Sequence, residues 1–529
     1  MDVQSDAGID DLMRVLIRAD SSLEIGSGHI MRCLTLAIAL RDKGAACQFV
    51  CRNHSGNMAA LIRSHGFAVD LLPGTELQKG ASSLPGGVGG YEGWLGAPWE
   101  IDAQETVACI ENSPVDWIVV DHYGIDRKWE NAVRPYCKKI MVIDDLANRS
   151  HECDLLLDQN LVENFETRYQ SLVPERCPCL LGPKYSLLQA DYATAHSRTP
   201  PRQVPISRVL VYFGGADSRN LTGLIITAFK DFEEFGILLD VVVNPQSPFY
   251  SAICELARSS KNIFLHTSLP SLCHLMIQAD VAIGASGATS WERCCLGLPS
   301  YVVTLAENQE PIAKELHRRG FVKWLGNQSE VSVRSFNQAL SDLVHGNQDL
   351  ECWSSHCRSL VDGKGASHVR SIMMLCKDTP LNVRAAELKD ERLLLEWAND
   401  PVVRKNAFNP NQIDAKTHRE WFYKRLRNPT KCAIYIVEAD DGLPIGQARF
   451  EYTGNGWEVH YGLAAVARGN KLGVSLLSSA LREFRQTRSG EIVFGQVKLD
   501  NLPSQAIFRQ LGFSETETSA CRLVYTSTL

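Results

Sequence analysis

His29 stands on a glycine-bearing turn, Gly26-Ser27-Gly28-His29, near the start of a chain of 529 residues. An imidazole ordinarily titrates near neutral pH, which suits proton transfer to or from a reacting group. Glycine lets the backbone approach a ligand closely, and a helix that begins here would offer unpaired N–H groups to an anion. The pattern predicts a catalytic base beside a phosphate-binding turn; its alternative is a histidine that only begins a helix.

A second polar turn joins a predicted strand to a predicted helix in the middle of the chain. Ser286, Gly287 and Thr289 would surround a diphosphate with N–H and hydroxyl donors. Glu292, one helical turn later, would accept hydrogen bonds from ribose hydroxyls. The alternative is that Ser286 or Thr289 caps the helix and that Glu292 is exposed, and the segment itself leaves both interpretations open.

Two further polar turns follow predicted strands of the same region. Gly214-Gly215 repeats the glycine turn after a strand, and Asn308-Gln309 places two amide side chains after another. Ligands bind beyond the carboxyl ends of parallel strands, so three polar strand ends in one unit favour a ligand site there.

A third glycine-bearing loop joins a strand to a helix in the last third of the chain. It consists of Arg468, Gly469, Asn470, Lys471, Leu472 and Gly473. A strand, such a loop and a helix again form a cradle for a pyrophosphate. Glu458 and His460 alternate along the preceding strand, where they would face an amine directly or through water. Their alternative role is that of polar side chains on an edge strand.

The elements that must position these residues alternate between apolar strands and helical segments, which is the rhythm of parallel α/β sheets. The predicted strands of two such units are residues 15–17, 47–50, 117–120 and 140–143, and then 209–213, 238–243, 263–265, 281–283 and 301–303. A helix is predicted over 30–40, and a proline-dense segment over 196–205 separates the units. We predict two Rossmann-like domains, at 14–200 and 205–376, of the kind that sugar-nucleotide enzymes use.

The pattern changes near residue 380. Residues 434–437, 444–450 and 458–461 are typical of successive antiparallel strands, followed by a helix over 472–484 and a strand over 492–494. A third, mixed α/β domain is therefore predicted at 380–529.

Composition limits the class of protein. The formal net charge of -7 argues against non-specific nucleic-acid binding. The 17 cysteines form neither a disulfide framework nor zinc-site spacing, so we expect reduced thiols. The start of the chain lacks the apolar core of a signal peptide, and no run reaches the roughly 18 apolar residues of a membrane span. We expect a cytoplasmic enzyme that binds no nucleic acid and no membrane; the sequence leaves its oligomeric state open.

Residues 14–375 resemble a known family, the UDP-sugar hydrolase of pseudaminic acid biosynthesis. The matching motifs are Arg18-Ala-Asp20-Ser, Gly26-Ser-Gly-His29-Ile-Met-Arg32-Cys33, Asp121-His-Tyr123, Asp144-Asp-Leu-Ala-Asn-Arg149, Cys153-Asp-Leu-Leu-Leu-Asp-Gln-Asn160, Leu181-Gly-Pro183, Trp291-Glu292-Arg-Cys-Cys-Leu-Gly-Leu-Pro299 and Asn308-Gln309. The resemblance implies two Rossmann-like domains in a glycosyltransferase-B-like arrangement and no metal.

The same resemblance implies hydrolysis of UDP-2,4-diacetamido-2,4,6-trideoxy-β-L-altropyranose to UDP and free 2,4-diacetamido-2,4,6-trideoxy-L-altrose. His29 would activate the attacking water, and Tyr123 and Asn308 would position the water or the sugar. Arg32 would help to stabilise the departing UDP. Asp20 would either orient His29 or cap the turn, and the sequence leaves this open. The residues expected to bind the UDP-sugar are Asp20, Gly26, Ser27, Gly28, Arg32, Gly214, Gly215, Ser286, Gly287, Thr289, Glu292 and Gln309.

The loop at 468–473 resembles the acetyl-CoA loop of the GNAT superfamily of N-acetyltransferases, which usually reads Arg-Gly-x-Gly-x-Gly. Lys471 stands where the middle glycine is common. Residues 497–513 resemble the closing motif of that superfamily, in which Asn501 would face CoA. Phe508 falls where many members have a tyrosine that protonates the departing thiolate, and phenylalanine cannot do so. Solvent or another residue supplies the proton, or the domain is slow or inactive.

The third domain, with Arg384 and Trp397-Ala-Asn-Asp400, is most similar to the aminosugar N-acetyltransferase of the same pathway. That resemblance implies acetyl-CoA as co-substrate and the 4-amino group of UDP-4-amino-4,6-dideoxy-N-acetyl-β-L-altrosamine as acceptor. Its product is the substrate inferred for the first two domains, so one chain would carry two successive steps. The alternatives are a UDP-sugar glycosyltransferase, and a hydrolase whose third domain binds CoA or sugar nucleotide without catalysis.

Overall fold

The computed structural model describes residues 12–74, 91–110, 114–214, 217–346, 349–518 and 522–528. The chain divides into two compact units, Met1–Ala366 and Ser367–Leu529. Each unit has hydrophobic core clusters of its own.

The first unit begins with a parallel sheet that is buried on both faces. Leu16 and Ile17 of one inner strand are fully buried, as expected of an apolar run covered by helices on both sides. Its strands are β1 (Arg14–Ala19), β2 (Ala46–Arg52), β3 (Ala68–Leu72), β4 (Val115–Asp121), β5 (Cys137–Ile143), β6 (Leu155–Asp158) and β7 (Cys179–Leu181). The accompanying helices are α1 (Gly28–Arg41), α2 (Ala59–Ser64), α3 (Trp99–Ala108), α4 (Arg127–Val133) and α5 (Ala190–Arg198). The strand order among the described residues is β3-β2-β1-β4-β5-β6-β7.

A second parallel sheet follows in the same unit. Its strands are β8 (Arg208–Tyr212), β9 (Leu238–Val242), β10 (Ile263–His266), β11 (Val281–Ala285), β12 (Ser300–Thr304) and β13 (Val322–Asn327). Its helices are α6 (Leu221–Phe229), α7 (Tyr250–Arg258), α8 (Cys273–Gln278), α9 (Thr289–Cys295), α10 (Glu310–Arg318), α11 (Val333–His345) and α12 (Leu350–Arg358), and α13 (Gly365–Met373) runs from this unit into the next. The order is β10-β9-β8-β11-β12-β13.

Both parallel sheets reverse their strand order at the centre. The chain proceeds outward from β1 to β3 on one side and then returns to β4 on the other, and it repeats this path from β8 to β10 and β11. In doubly wound sheets ligands bind beyond the carboxyl ends of the strands that flank this reversal. The turns after β1 and β4, and those after β8 and β11, therefore lie where a ligand site is expected.

The segment at 196–205 that joins the two sheets is held by side-chain hydrogen bonds. Arg202 donates from Nε to the carbonyl of Ala279 at 2.8 Å and from Nη2 to the carbonyl of Met276 at 2.7 Å. Because both sheets lie in one compact unit, the limits 14–200 and 205–376 stay a prediction.

The second unit contains a mixed sheet. Its strands are β14 (Asn382–Ala385), β15 (Cys432–Glu438), β16 (Pro444–Tyr452), β17 (Trp457–Leu463), β18 (Ile492–Lys498), β19 (Ser514–Thr518) and β20 (Arg522–Thr528). Its helices are α14 (Glu391–Ala398), α15 (Pro401–Asn406), α16 (Ala415–Leu426), α17 (Gly473–Thr487) and α18 (Leu502–Gln510). The order is β14-β15-β16-β17-β18-β20-β19, in which β17 and β18 are parallel and their neighbours antiparallel.

The parallel strands β17 and β18 separate along their length. Trp457 pairs with Val493 and Glu458 pairs with Phe494, and no further pair follows along the described parts of the two strands. The remaining residues of β17 therefore border an opening in the sheet. The predicted fold class, two Rossmann-like parallel sheets followed by a mixed α/β domain, is confirmed.

Candidate active sites

His29 lies at the start of α1, beside the carboxyl end of β4. The register of β1 and β4 pairs Ala19 with Asp121, so the sheet brings the Asp121 carboxylate to the same edge. The Nδ1 atom of His29 is 2.6 Å from Oδ1 of Asp121, and both side chains are buried. Sequence reasoning assigned no role to Asp121, although it could have been found from the doubly wound order, which predicts that β4 ends beside the turn after β1.

Arg32, about one helical turn after His29, binds the same carboxylate. Its Nε and Nη2 atoms donate to the two oxygens of Asp121, each at 2.6 Å, and Nη1 donates to Asp145 at 3.1 Å. Burial raises the pKa of Asp121, but the charges of Arg32 and His29 outweigh burial and hold that pKa well below its usual range. Arg32 therefore fixes an ionised Asp121 in this structure, and its contact with UDP stays a prediction.

The Asp121 carboxylate sets the tautomer of His29. An ionised carboxylate only accepts hydrogen bonds, so the Nδ1 atom of His29 carries the hydrogen. In the neutral imidazole the Nε2 atom is then the proton acceptor. A histidine that is oriented in this way by a carboxylate is equipped to remove a proton from a nucleophile.

Tyr123 packs against His29 and Trp94. Its ring meets the His29 ring edge-on, with centroids 4.7 Å apart, and stacks on Trp94 at 5.7 Å. Burial, and next the charge of Asp145, raise the pKa of Tyr123, so the phenol stays protonated. The structure thus brings the predicted residues His29, Arg32 and Tyr123 together.

The turn before α1 is open to a ligand. Gly26 adopts a left-handed conformation with φ +79°, and a Cβ added at Gly26 or Gly28 would meet nothing within 4 Å among the described atoms. Gly26, Ser27 and Gly28 are all exposed, and Ser27 makes no side-chain cap to α1. The first N–H groups of α1 therefore border accessible space, as an anion site requires.

Asp20 plays neither of the two roles considered for it. Its fully buried carboxylate is 2.6 Å from Nη1 of Arg18 and accepts a hydrogen bond from the backbone N–H of Arg52 at 2.6 Å. The turn is instead closed by Ser22, whose hydroxyl accepts from the backbone of Glu24 and Ile25. Asp20 directly follows the carboxyl end of β1, and its expected contact with the UDP-sugar stays a prediction.

In the second sheet the turn after β11 meets the segment after β12. A Cβ added at Gly287 would meet Nε2 of Gln309 at 3.7 Å, so these two predicted binding residues are neighbours. Ser286 is fully buried, and its hydroxyl has no hydrogen-bond partner within the described part of the chain. The helix α9 begins at Thr289 without a side-chain cap, so the alternative that Ser286 or Thr289 caps it is wrong.

Glu292 lies on α9 behind this turn. Burial raises its pKa to about 7, against a hydrogen bond with Tyr192 that lowers it. Its Oε2 atom is buried without a hydrogen-bond partner among the described residues, so the alternative of an exposed Glu292 is wrong. A carboxylate oxygen in this state suits a hydroxyl donor from a ligand.

Three further residues that follow strands of the second sheet were predicted to belong to a site: Gly214, Gly215 and Asn308. Gly214 follows β8 with φ +83°, whereas Gly215 lies outside the described residues. Asn308 is exposed in the 3₁₀ turn Glu307–Gln309, and no described hydrogen bond joins it to His29. The role of Asn308 in positioning water stays a prediction.

In the second unit the loop at 468–473 runs from β17 into α17. Lys471 has φ +60°, the left-handed conformation that glycine adopts easily and that costs other residues about 1 kcal/mol or more. Lysine thus reproduces the backbone shape expected of the common glycine. Leu472 is fully buried, so only its backbone can face a ligand, and Arg468 pairs with Asp400 at 2.7 Å.

Helix α17 begins close to α18, and Asn501 caps the start of α18. A Cβ added at Gly473 would lie 2.5 Å from Cδ1 of Ile507, so the two helices approach each other where this glycine lies. Asn470 contacts the carbonyl of Arg468 at 3.4 Å. The side chain of Asn501 accepts from the backbone N–H of Ser504 at 3.3 Å and thereby caps α18, a second use for the residue expected to face CoA.

Glu458 and His460 lie on one face of β17, with Nε2 of His460 at 3.7 Å from Oε1 of Glu458. β17 lies between β16 and β18 in the sheet, but His460 lies beyond the last position that pairs with β18, and the catalytic role of both residues stays a prediction. Burial, and next the charge of Arg449, lower the pKa of His460, while burial raises the pKa of Glu458. A histidine with a lowered pKa is neutral at pH 7 and available as a proton acceptor.

Other features of the described residues concern metals, cysteines and membranes. They include no group of three or more His, Cys, Asp or Glu side chains placed to hold a metal ion, and their cysteines are free thiols. No helix in the described ranges is long and apolar enough to cross a membrane.

Residues 381–514 match the family model of the acetyltransferase (GNAT) domain. The chain is 23% identical over 310 residues to the UDP-2,4-diacetamido-2,4,6-trideoxy-β-L-altropyranose hydrolase of Campylobacter jejuni, covering 58% of this chain and 98% of that protein. It is 22% identical over 365 residues to the spore coat polysaccharide biosynthesis protein SpsG of Bacillus subtilis, covering 68% of this chain and 98% of that protein.

A third relative extends along nearly the whole chain. This uncharacterized protein of Methanocaldococcus jannaschii is 21% identical over 530 residues, which cover 96% of this chain and 97% of that protein. The predicted resemblances are confirmed: the N-terminal region is similar to a UDP-sugar hydrolase, and the C-terminal region carries an acetyltransferase domain.

Proposed function

We propose that the chain is a bifunctional sugar-nucleotide enzyme. Its second unit acetylates the 4-amino group of UDP-4-amino-4,6-dideoxy-N-acetyl-β-L-altrosamine with acetyl-CoA. Its first unit then hydrolyses the product, UDP-2,4-diacetamido-2,4,6-trideoxy-β-L-altropyranose, to UDP and the free sugar. The observation that carries the proposal is the buried His29–Asp121 pair beside an open glycine turn, in a region similar to a hydrolase with that substrate in its name.

The hydrolytic step follows from the orientation of His29. The Nε2 atom of His29 takes a proton from water as the water oxygen attacks the anomeric carbon. The bond between that carbon and the phosphate oxygen breaks, and its electron pair leaves with UDP. Asp121 stabilises the imidazolium through Nδ1, and the ring of Tyr123 packs edge-on against the imidazole, where the residue would help to position the water or the sugar.

The second parallel sheet supplies the groups that would hold UDP. The backbone at Gly287 and the hydroxyls of Ser286 and Thr289 face the diphosphate at the start of α9. Glu292 accepts from the ribose hydroxyls with its unpaired oxygen, and the Gln309 amide lies beside the same turn. UDP is a stable leaving group, so its departure needs donors rather than a strong acid.

The acetyl transfer step uses the opening between β17 and β18. The loop at 468–473 would bind the pyrophosphate of acetyl-CoA. The acceptor amine would meet Glu458 and His460 on β17, beside the opening in the sheet. One of these two groups receives the proton that the amine loses as it attacks the thioester carbonyl.

The hydrolase half is tested by supplying UDP-2,4-diacetamido-2,4,6-trideoxy-β-L-altropyranose to the purified full-length protein and measuring UDP by anion-exchange chromatography. We expect one UDP for each sugar consumed, with oxygen from ¹⁸O-water in the free sugar. Absence of UDP release, or ¹⁸O found only in UDP, contradicts hydrolysis at the anomeric carbon.

A further inference from the structure

Tyr461 lies on β17 beyond the last position that pairs with β18, at the border of the opening in the sheet. Its hydroxyl donates a hydrogen bond to the hydroxyl of Ser504 on α18, at 3.0 Å. Two hydroxyl groups from different elements therefore bridge β17 to the first turn of α18. Both side chains are partly exposed, so the pair can meet a ligand in the opening.

Phe508 lies next to this pair. Ser504 and Phe508 are four residues apart on α18 and so share one helix face. The Tyr461 ring meets the Phe508 ring edge-on, with centroids 5.8 Å apart. The hydroxyl pair thus lies beside the residue that cannot donate a proton.

The packing of Phe508 explains why its position has no hydroxyl. The ring is almost fully buried, stacks on Tyr525 with centroids 5.4 Å apart, and its tip would collide with a Cβ at Gly495. A phenol at this position would have to place its oxygen close to the Gly495 backbone. The structure uses Phe508 for the core of the second unit.

Acetyl transfer nevertheless needs a proton donor. When the amine has added to the carbonyl, the carbon–sulfur bond breaks and its electron pair goes to sulfur. A thiol ordinarily has a pKa of about 8.5, so protonation of the departing thiolate assists its departure at neutral pH. The amine loses one proton on the Glu458 and His460 side, and sulfur must gain one.

We propose, on the basis of the acetyltransferase function proposed above, that the Tyr461–Ser504 hydroxyl pair protonates the departing CoA thiolate. Ser504 gives its proton to sulfur and takes one from Tyr461 along the observed hydrogen bond. The Tyr461 oxygen then regains a proton from solvent. The proton that the amine loses is released to solvent. The net products are the amide and CoA thiol, with no other reactant.

The pKa of Tyr461 suits a group that holds a proton until the thiolate departs. Burial raises its pKa to about 12, while the hydrogen bond to Ser504 lowers it. The phenol is therefore protonated throughout the neutral range. Since Ser504 stabilises the tyrosinate that forms, the proton can pass between the two oxygens without first entering water.

The test compares Tyr461→Phe, Ser504→Ala and Ser504→Thr with the wild-type full-length protein. Release of CoA thiol is followed with a chromogenic disulfide reagent, with UDP-4-amino-4,6-dideoxy-N-acetyl-β-L-altrosamine as acceptor, and CoA binding is measured by calorimetry. Tyr461→Phe and Ser504→Ala should lower kcat about 10²-fold with KM for acetyl-CoA and CoA affinity nearly unchanged. Ser504→Thr keeps a hydroxyl and should retain most of the rate.

Tyr525→Phe is the matched control, because it removes the hydroxyl of the other tyrosine whose ring contacts Phe508. Unchanged kcat in Tyr461→Phe overturns the inference while the acetyltransferase function stands. An equal loss in Tyr525→Phe also overturns it, since packing would then explain the effect. A wild-type protein that binds CoA but releases no thiol overturns both the inference and the proposed acetyl transfer.

Discussion

The two histidines proposed as bases have different electrostatic surroundings. In the first unit His29 shares a buried hydrogen bond with ionised Asp121. In the second unit His460 is half-buried near Arg449 and Arg425, and burial together with these cations lowers its pKa. The difference teaches that neighbouring groups prepare the two imidazoles in different ways: the carboxylate beside His29 sets which ring nitrogen accepts a proton, whereas burial and cations keep His460 neutral.

The largest effect is expected from a substitution at His29, which should affect one activity and leave the other unchanged. His29→Asn removes the proton acceptor while keeping a similar volume, so we expect UDP release to fall about 10³-fold and acetyl transfer to stay unchanged. The measurement is UDP release under saturating substrate, with His65→Asn, a change at an exposed histidine, as control. Retained hydrolysis removes His29 from the mechanism, and equal loss of both activities indicates misfolding.

Asp121 tests whether the carboxylate sets the tautomer. Asp121→Asn keeps the shape but can donate to Nδ1, which would move the imidazole hydrogen to Nε2 and lower kcat about 10²-fold. The control is Asp42→Asn, at an exposed aspartate just after α1. A full rate in Asp121→Asn contradicts the assigned tautomer.

Substitutions at Gly473 test the second unit separately from the first. Gly473→Trp forces a large side chain against Ile507, so the start of α17 must move and acetyl-CoA affinity should fall about 10²-fold. Gly473→Ala should give a smaller loss. Calorimetry with CoA measures both, and unchanged UDP release shows that the first unit remains folded. Unchanged CoA affinity in Gly473→Trp contradicts the proposed loop.

The smallest expected effect concerns Glu292 and pH. Its raised pKa of about 7 means that the carboxylate is ionised above that pH and takes up a proton below it. UDP affinity should therefore weaken as pH falls through 7, because a charge-assisted hydrogen bond to ribose is lost. Glu292→Gln should bind UDP about tenfold more weakly at pH 8 and show a smaller dependence on pH. An identical pH profile in this variant contradicts the ribose contact.

Much of the fold was predictable because long apolar runs mark central strands. The predicted segments 15–17 and 117–120 fall within β1 and β4, and 458–461 falls within β17. The strands that were not predicted are β3, β6, β7, β13, β14, β19 and β20. Those as short as β7 and β14 carry too little pattern to distinguish a strand from a loop.

The candidate sites were predicted in part. Glycine turns revealed His29 and the loop at 468–473, because such turns are local in sequence. The pairing of His29 with Asp121 joins residues 92 positions apart and depends on the neighbouring register of β1 and β4. Asp20 was considered as a residue that orients His29 or caps the turn, whereas its carboxylate pairs with Arg18, a side-chain contact that the sequence pattern does not reveal.

The most direct test of two consecutive reactions on one chain is a time-resolved mass spectrum of the full-length protein with UDP-4-amino-4,6-dideoxy-N-acetyl-β-L-altrosamine and acetyl-CoA. We predict that an acetylated UDP-sugar appears first, and that UDP and the free diacetamido sugar follow. In His29→Asn the acetylated UDP-sugar should accumulate, and without acetyl-CoA the amino sugar should persist. Release of UDP from the amino sugar without acetylation, or no acetylated species at any time, would contradict the account.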